Sequence, residues 1–426
     1  MAKMTPQVKQ RIKQIRYGEV PKGYKRGRYN IIPDEWEEEV LRNLSDNITK
    51  GATPTTYGYT WAEKGVLFLK SDCVTEEGFV TKEPVYITED AHQMMSRSAV
   101  RAGDILISIT GYLGKVGVVP FCIQEANINQ HIARVRPYID RCNSRFVYYY
   151  LGMASLKRWF EMIQTGQAYP QLSLEQIRQI KIPMPPIIEQ KRIVKVLESQ
   201  DRIIELKEKI VKEKKRQKKA LMQQLFTKKK RLPGFSEDWK TTTLGMLLKE
   251  RKTYSQKGLE YPHVTLSTEG IYAKTERYDR DHLVKSEDKE YKITHKGDIC
   301  YNPANLKFGV ICVNDFGDAI FSPIYVTFEI QKGVELNFLS NYLMRLDFIN
   351  AVRKYEEGTV YERMAVKPED FLKFEILLPP IEEQRAIADI LTAADQEIVL
   401  LQKEIEQEKL KKKALMQLLL TGIVRV

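Results

Sequence analysis

The stretch Pro185-Pro186-Ile187-Ile188-Glu189-Gln190 returns as Pro379-Pro380-Ile381-Glu382-Glu383-Gln384, and this repetition decides the fold. The offset from Pro185 to Pro379 is 194 residues. It holds without a gap to a second marker, Lys219-Ala220-Leu221-Met222-Gln223 against Lys413-Ala414-Leu415-Met416-Gln417. Proline is tolerated only in the first turn of a helix, so each Pro-Pro pair reads as a helix start. The first helical segment, from about Ile188 to Thr227, has no internal Gly or Pro. Its apolar residues fall in two heptad rows, Val196, Ile203, Ile210 and Leu197, Ile204, Val211. The second, about Glu382 to Leu420, carries Leu391, Ala394, Ile398, Leu401 and Ile405, then a charged break, then Leu415 and Leu419. At about 1.5 Å per residue each helix spans roughly 60 Å. A solvated helix with one apolar seam is only marginally stable, so each needs a partner, and the other copy is the nearest one. The expectation is an antiparallel coiled coil with approximate two-fold symmetry, its seam drawn from Leu197, Ile204, Val211, Leu221, Leu391, Ile398, Leu401, Ile405 and Leu415.

The globular regions also correspond. Pro33-Asp34-Glu35-Trp36 resembles Ser236-Glu237-Asp238-Trp239, and Arg101-Ala102-Gly103-Asp104-Ile105 matches His295-Lys296-Gly297-Asp298-Ile299, a turn feeding a strand. Gly117-Val118 is aligned with Gly309-Val310, Phe146 and Tyr150-Leu151 with Phe338 and Tyr342-Leu343, and Gly166 with Gly358. Strands rich in Val, Ile and Tyr mix with helices in both halves, so an α+β domain is used twice. The expected division is an N-terminal segment 1–30, a first globular domain 31–185, a central helix and linker 186–230, a second globular domain 231–378 and a C-terminal helix 379–426. Between the shared points the loops differ, which is how recognition changes on a kept framework.

The 426 residues carry a net charge of +12, compatible with a nucleic-acid partner without requiring one. Cys73, Cys122, Cys142, Cys300 and Cys312 are odd in number and lack metal spacing, and read as buried thiols in a reducing compartment. The start of the chain has no apolar core and no apolar run approaches the roughly 20 residues of a membrane span, so a cytoplasmic protein without membrane association is expected.

Catalytic patterns are thin. Thr110-Gly111-Tyr112-Leu113-Gly114-Lys115-Val116-Gly117 is neither a GxGxxG nor a GxxxxGK[ST] loop and reads as a strand-connecting turn. Asn302-Pro303-Ala304-Asn305 lacks the second proline and the aromatic of an amino-methylating motif. The five histidines are dispersed. Asp104 and Asp298 each follow Gly in a turn, where Asp commonly bonds backbone, rather than forming a nuclease carboxylate. No catalytic residue and no metal site is assigned.

Basic and amide residues cluster instead. The run from Lys207 to Lys230 reads as a solvated helix face, with the linker lysines after Phe226 the better phosphate contacts. The candidate DNA-binding residues are Lys50, Lys70, Ser71, Lys115, Gln130, Gln167 and Tyr169 in the first half. In the second half they are Lys252, Ser267, Thr268, Asn302, Asn305, Lys307, Tyr361 and Arg363. Lys and Arg suit phosphates and guanine edges; Asn and Gln suit adenine edges.

Together these features resemble the specificity subunit of Type I restriction-modification systems, the HsdS family. The resemblance rests on the doubled Pro-Pro-Ile-x-Glu-Gln, the long helix ending Lys-Ala-Leu-Met-Gln and the entry Leu232-Pro233-Gly234-Phe235-Ser236-Glu237-Asp238-Trp239. It rests also on Gly-Asp-Ile in both halves, then Asn129-Gln130 in one and Ser322-Pro323-Ile324-Tyr325 in the other. It implies two target-recognition domains that bind the halves of a bipartite site in double-stranded DNA, held apart by the paired helices. It implies two docked modification subunits, which are adenine-N6 methyltransferases, and restriction subunits that complete a nuclease for phage defence. S-adenosylmethionine, ATP and magnesium would then belong to those partners, with no cofactor in this chain and no catalysis by it. A coiled-coil scaffold that binds only proteins, a related methyltransferase-nuclease system, and a fused or stand-alone methyltransferase or nuclease remain alternatives at this level.

Overall fold

The computed structural model describes all residues except 1–4, 77, 82, 167, 257–259, 275–289 and 357–364. Two helices of 40 residues each, Ile187–Phe226 and Ile381–Leu420, begin directly after the two Pro-Pro pairs. The chain forms two compact units, Met1–Lys207 with Glu404–Val426, and Glu208–Lys403. Each unit therefore contains half of each long helix.

In the first unit Lys412 pairs with Asp201 at 2.6 Å, Gln200 donates to Glu408 at 2.6 Å, and Lys207 meets Glu404 at 2.7 Å. In the second, Lys214 meets Glu397 at 2.7 Å and Lys218 meets Asp395 at 2.6 Å. Rising numbers on one helix meet falling numbers on the other, so within each unit the helix halves run in opposite directions. Partly exposed ion pairs of this kind contribute about 0–1 kcal/mol each. Burying a Leu or Ile side chain contributes about 1.5–3 kcal/mol, so the seam dominates. Leu197, Ile204, Val211, Leu391, Ile398 and Ile405 are buried, Leu221 and Leu415 pack partly buried against neighbouring clusters, and Leu401 is half-buried. Only one of the two expected heptad rows is used this way. Val196, Ile203 and Ile210 are 36%, 38% and 46% exposed, because a row one residue round the helix points about 100° away from the seam. The basic run is also less solvated than expected, since Lys207, Lys214 and Lys218 face acidic residues of the other helix.

The repeated Glu-Gln is structural. Gln190 accepts from the Asn143 amide at 2.9 Å and donates to the Pro185 carbonyl at 2.8 Å. Gln384 does the same with the Glu335 amide at 2.8 Å and the Pro379 carbonyl at 2.8 Å. Each glutamine thus locks the start of a long helix to the cap of a domain helix, Ser144–Leu151 or Leu336–Leu343. The preceding glutamate holds an arginine: Glu189 takes Arg425 (2.7 Å) and Glu383 takes Arg231 (2.7 Å). Glu383 also accepts from the Trp239 indole at 2.9 Å, whereas the Trp36 indole nitrogen is buried with no hydrogen-bond partner among the described residues and the Arg425 guanidinium lies over its ring.

Each unit is built on the same four-stranded antiparallel sheet. In the first the order is Val116–Val118, Ile105–Ser108, Ile132–Pro137, Ser45–Lys50; in the second it is Ile311–Val313, Ile299–Tyr301, Val326–Ile330, Leu248–Glu250. A two-stranded ribbon beside it, Glu37–Val40 with Lys181–Met184 or Lys240–Thr243 with Glu375–Leu378, leads the chain into its long helix. The units differ beyond this frame. The first adds a second four-stranded sheet containing Val66–Leu69 and Glu125–Ile128, while the second has a three-stranded sheet and the hairpin Val264–Ser267 and Gly270–Ala273.

The strand register corrects one expected correspondence. Ile105 pairs with Val118 and Ile299 with Val313, so Gly309 matches Gly114, and Gly117 matches Cys312. Gly114 and Gly309 share left-handed backbone, at φ 72° and 80°, where glycine alone is unstrained. Gly358 lies outside the described residues. The expectation of buried cysteines holds for four of five, since Cys122 is exposed.

Candidate nucleic-acid interface

The loop after strand Ile105–Ser108 is closed by the last residue of that strand. Ser108 Oγ donates to the Tyr112 carbonyl and accepts from the Lys115 amide at 3.0 Å, while the Gly114 amide donates to the Ser108 carbonyl at 2.9 Å. A Cβ on Gly114 would lie 2.6 Å from the Phe160 ring, which is how closely the loop sits on the core. The Gly111 amide donates to the Pro170 carbonyl (2.9 Å) and the Ile109 amide to the His131 carbonyl (2.9 Å). Three segments therefore meet. Lys115 lies with its ammonium over the Tyr112 ring, and Tyr169 packs edge-on to His131. Gln130 accepts from Thr53 at 2.7 Å and reaches the His131 ring at 3.2 Å. Lys115, Gln130 and Tyr169 thus lie on three segments that meet. Lys50 is exposed at the end of its strand, and Lys70 and Ser71 follow Leu69, whose carbonyl accepts from the Asn129 amide. Lys70 also stacks on Trp61 at 5.6 Å. Gln167 lies outside the described residues.

The second unit gives a different distribution. Asn302 occupies the place of Ser108, is buried, and spends its side-chain oxygen on the Ala304 and Asn305 amides at 3.1 and 3.3 Å. Its oxygen shapes the loop, which leaves the two N–H donors of the amide as the groups it could offer to a base. Asn305 is half-buried, with its carbonyl accepting from the Phe308 amide. Lys307 is exposed and stacks on Phe308 at 5.3 Å. Lys252 pairs with Glu250 at 3.2 Å, and that contact raises its pKa. Ser267 is consumed by the hairpin turn, accepting from the Glu269 amide at 3.1 Å and donating to the Gly270 carbonyl at 3.3 Å. Exposed Thr268 lines a groove of about 1270 Å³ shared with Lys218, Met222, Met344 and Leu400. Tyr361 and Arg363 lie outside the described residues.

Positive charge is also dense over the first 30 residues of the sequence. The sequence there has Lys3, Lys9, Arg11, Lys13, Arg16, Lys22, Lys25, Arg26 and Arg28 against one acidic residue, Glu19. On helix Pro6–Arg16, Lys9, Lys13 and Arg16 form one exposed face.

The two turn aspartates are held. Asp104 accepts from the Arg101 amide (2.9 Å) and takes Arg136 at 2.7 Å through both oxygens. Asp298 accepts from the His295 amide (2.8 Å) and takes Arg251 at 2.9 and 3.0 Å. The turn reading stands; the arginine clamp carries no sequence pattern. Burial pushes the Cys142 thiol up to about 11 and those of Cys300 and Cys312 up to about 12, well away from a nucleophile's range. Among the described residues no cluster of three metal-ligating side chains occurs, and no helix is long and apolar enough to cross a membrane. Thr53, Tyr112, His131 and Phe308 contact the candidate residues without having been among them; only their loop positions could have pointed to them.

Residues 33–216 and 236–410 match the family of the Type I restriction modification DNA specificity domain. The chain is similar to two type I restriction enzyme specificity subunits of Methanocaldococcus jannaschii. To MjaX it is 25% identical over 95% of this chain and 97% of that one; to MjaVIII it is 25% identical over 93% and 94%. It is 27% identical to the EcoBI specificity subunit of Escherichia coli over 39% of this chain and 35% of the relative. Among solved structures it resembles a chain of a type I R-M system, at 17% identity and a TM-score of 0.57 over 92% of this chain and 99% of that one. It also resembles the Type-I restriction-modification S subunit from M. genitalium, at 14% identity and a TM-score of 0.50 over 94% and 98%. At these identities the structural likeness concerns the fold.

Proposed function

The chain belongs to the Type I restriction-modification DNA specificity family, and from that premise we propose that it reads a bipartite, asymmetric DNA site, one half with each unit. The observation that carries this reading is the single sheet framework used twice under unlike loops. Lysines and arginines hold phosphates and give salt-dependent, sequence-blind affinity, while loop side chains read base edges. The long helices form an antiparallel coiled coil with pseudo-two-fold symmetry and act as a ruler for the unread spacer. Two adenine-N6 methyltransferase subunits dock on the helices, a role supported by the exposed apolar residues Val196, Ile203, Ile210, Val399 and Leu400. Restriction subunits complete the nuclease. The chain itself is non-catalytic; S-adenosylmethionine, ATP and magnesium are held by the partners, and the assembly works in the cytoplasm.

Exchange of residues 45–181 for the equivalent segment of another family member tests the reading. Mapping of modified adenines is expected to show one half-site changed and the other kept; a change in both halves refutes independent readers. The ruler has its own test. Adding one heptad beside Glu213 and one beside Ile398 preserves the seam and lengthens both helices by about 10.5 Å. The spacer is expected to grow by about three base pairs at roughly 3.4 Å each, and an unchanged spacer removes the ruler.

A further inference from the structure

Each unit holds an aromatic ring out in solvent on a loop that is otherwise tightly fixed. Tyr112 is 80% exposed and Phe308 is 67% exposed. Both loops leave the same strand of equivalent sheets, and in both the residue at the strand's end, Ser108 or Asn302, ties down the backbone with its side chain. A lysine from the same loop covers each ring, Lys115 at 4.4 Å and Lys307 at 5.3 Å from the centroid. The strand register sets Tyr112 opposite Lys307 and Leu113 opposite Phe308, so the pairing of ring and lysine occurs twice without shared sequence. Single exposed aromatics are ordinary. A ring on a fixed loop, with an adjacent cation, on the equivalent loop of two otherwise unlike units though at non-equivalent positions, is not accounted for by packing.

We propose that Tyr112 and Phe308 are wedges, each entering the base stack of the half-site read by its own unit, while Lys115 and Lys307 swing from the ring to a flanking phosphate. This rests on the DNA-reading role proposed above. The exchange is favourable in direction: stacking of a base on an aromatic face is stronger than an exposed cation–π contact, and the lysine gains a phosphate in place of the ring. Apolar or aromatic wedges unstack a base step at a cost that a pre-fixed loop helps to offset, because little further ordering is required. An adenine must leave the stack before its amino group can be modified, so a wedge in each half-site lowers the cost of that step for the docked methyltransferase.

The test uses the full chain assembled with its modification subunits on a duplex carrying 2-aminopurine beside the target adenine of one half-site or the other. The native complex is expected to raise the fluorescence in both. Tyr112→Ala is expected to abolish the rise in one half-site only and Phe308→Ala in the other only, each with about tenfold weaker binding. Tyr112→Phe is expected to restore the rise, which separates ring insertion from a hydroxyl contact. An unchanged fluorescence rise in the alanine variants with binding retained overturns the wedge and leaves the DNA-reading role standing. Loss of the modification subunits from the complex, with DNA contacts unchanged, overturns it in favour of a protein contact. If the native complex fails to bind the duplex at all, the proposed function itself falls.

Discussion

Replacing Arg251 by methionine is expected to destabilise the second unit by about 3–5 kcal/mol, the cost of leaving a buried carboxylate without its partner. The Asp298 carboxylate is 4% exposed and receives both guanidinium bonds of Arg251. Hydrogen exchange of the Ile299–Tyr301 amides should accelerate strongly in Arg251→Met while that of Ile105–Ser108 stays as it was. The register supplies a rescue. Val135 and Phe328 pair with equivalent isoleucines, so Glu329 stands where Arg136 stands in the first unit. Glu329 already lies 3.9 Å from Arg251. Adding Glu329→Arg to Arg251→Met should recover much of the loss. Failure to do so would mean that the pair's value lies in the packing of Arg251 rather than in its charge.

Gly51→Ala is expected to cost about 3 kcal/mol, the upper end for overpacking, because the obstacle is backbone. A Cβ there would lie 1.7 Å from the Ile128 carbonyl oxygen and 2.5 Å from that of Asn129. Relief requires the crossing of residues 51–53 over 128–130 to open, and Thr53 and Gln130, which are bonded to each other, sit on the two sides of it. Footprinting of the variant complex should show one half-site lost and the other protected. Equal protection of both would mean that the crossing has no part in recognition. Denaturant unfolding of the variant checks the stability loss independently.

Part of this molecule was legible without coordinates because helix starts, heptad seams and turns are local. Pro185-Pro186 and Pro379-Pro380 fix where the long helices begin, and the buried seam at Leu197, Ile204, Leu391 and Ile398 follows from spacing alone. Gly103-Asp104 and Gly297-Asp298 were readable as turns because the aspartate bonds the amide three residues back. The candidate interface was less legible. The segments carrying Lys115, Gln130 and Tyr169 meet, whereas the Asn302 oxygen and the Ser267 hydroxyl bond within their own loops, a distinction that composition does not carry.

By itself, then, the order of residues determined the duplication, the two helices and the heptad rows from which the seam is drawn, since each depends on neighbours within a few turns. Tertiary structure alone decided that Val196, Ile203 and Ile210 stay uncovered, that Arg136 and Arg251 reach equivalent aspartates from different segments, and that Tyr112 and Phe308 are exposed on fixed loops. Those outcomes turn on contacts between segments far apart in the chain, where burial of one group is set by the shape of another and no periodicity records it.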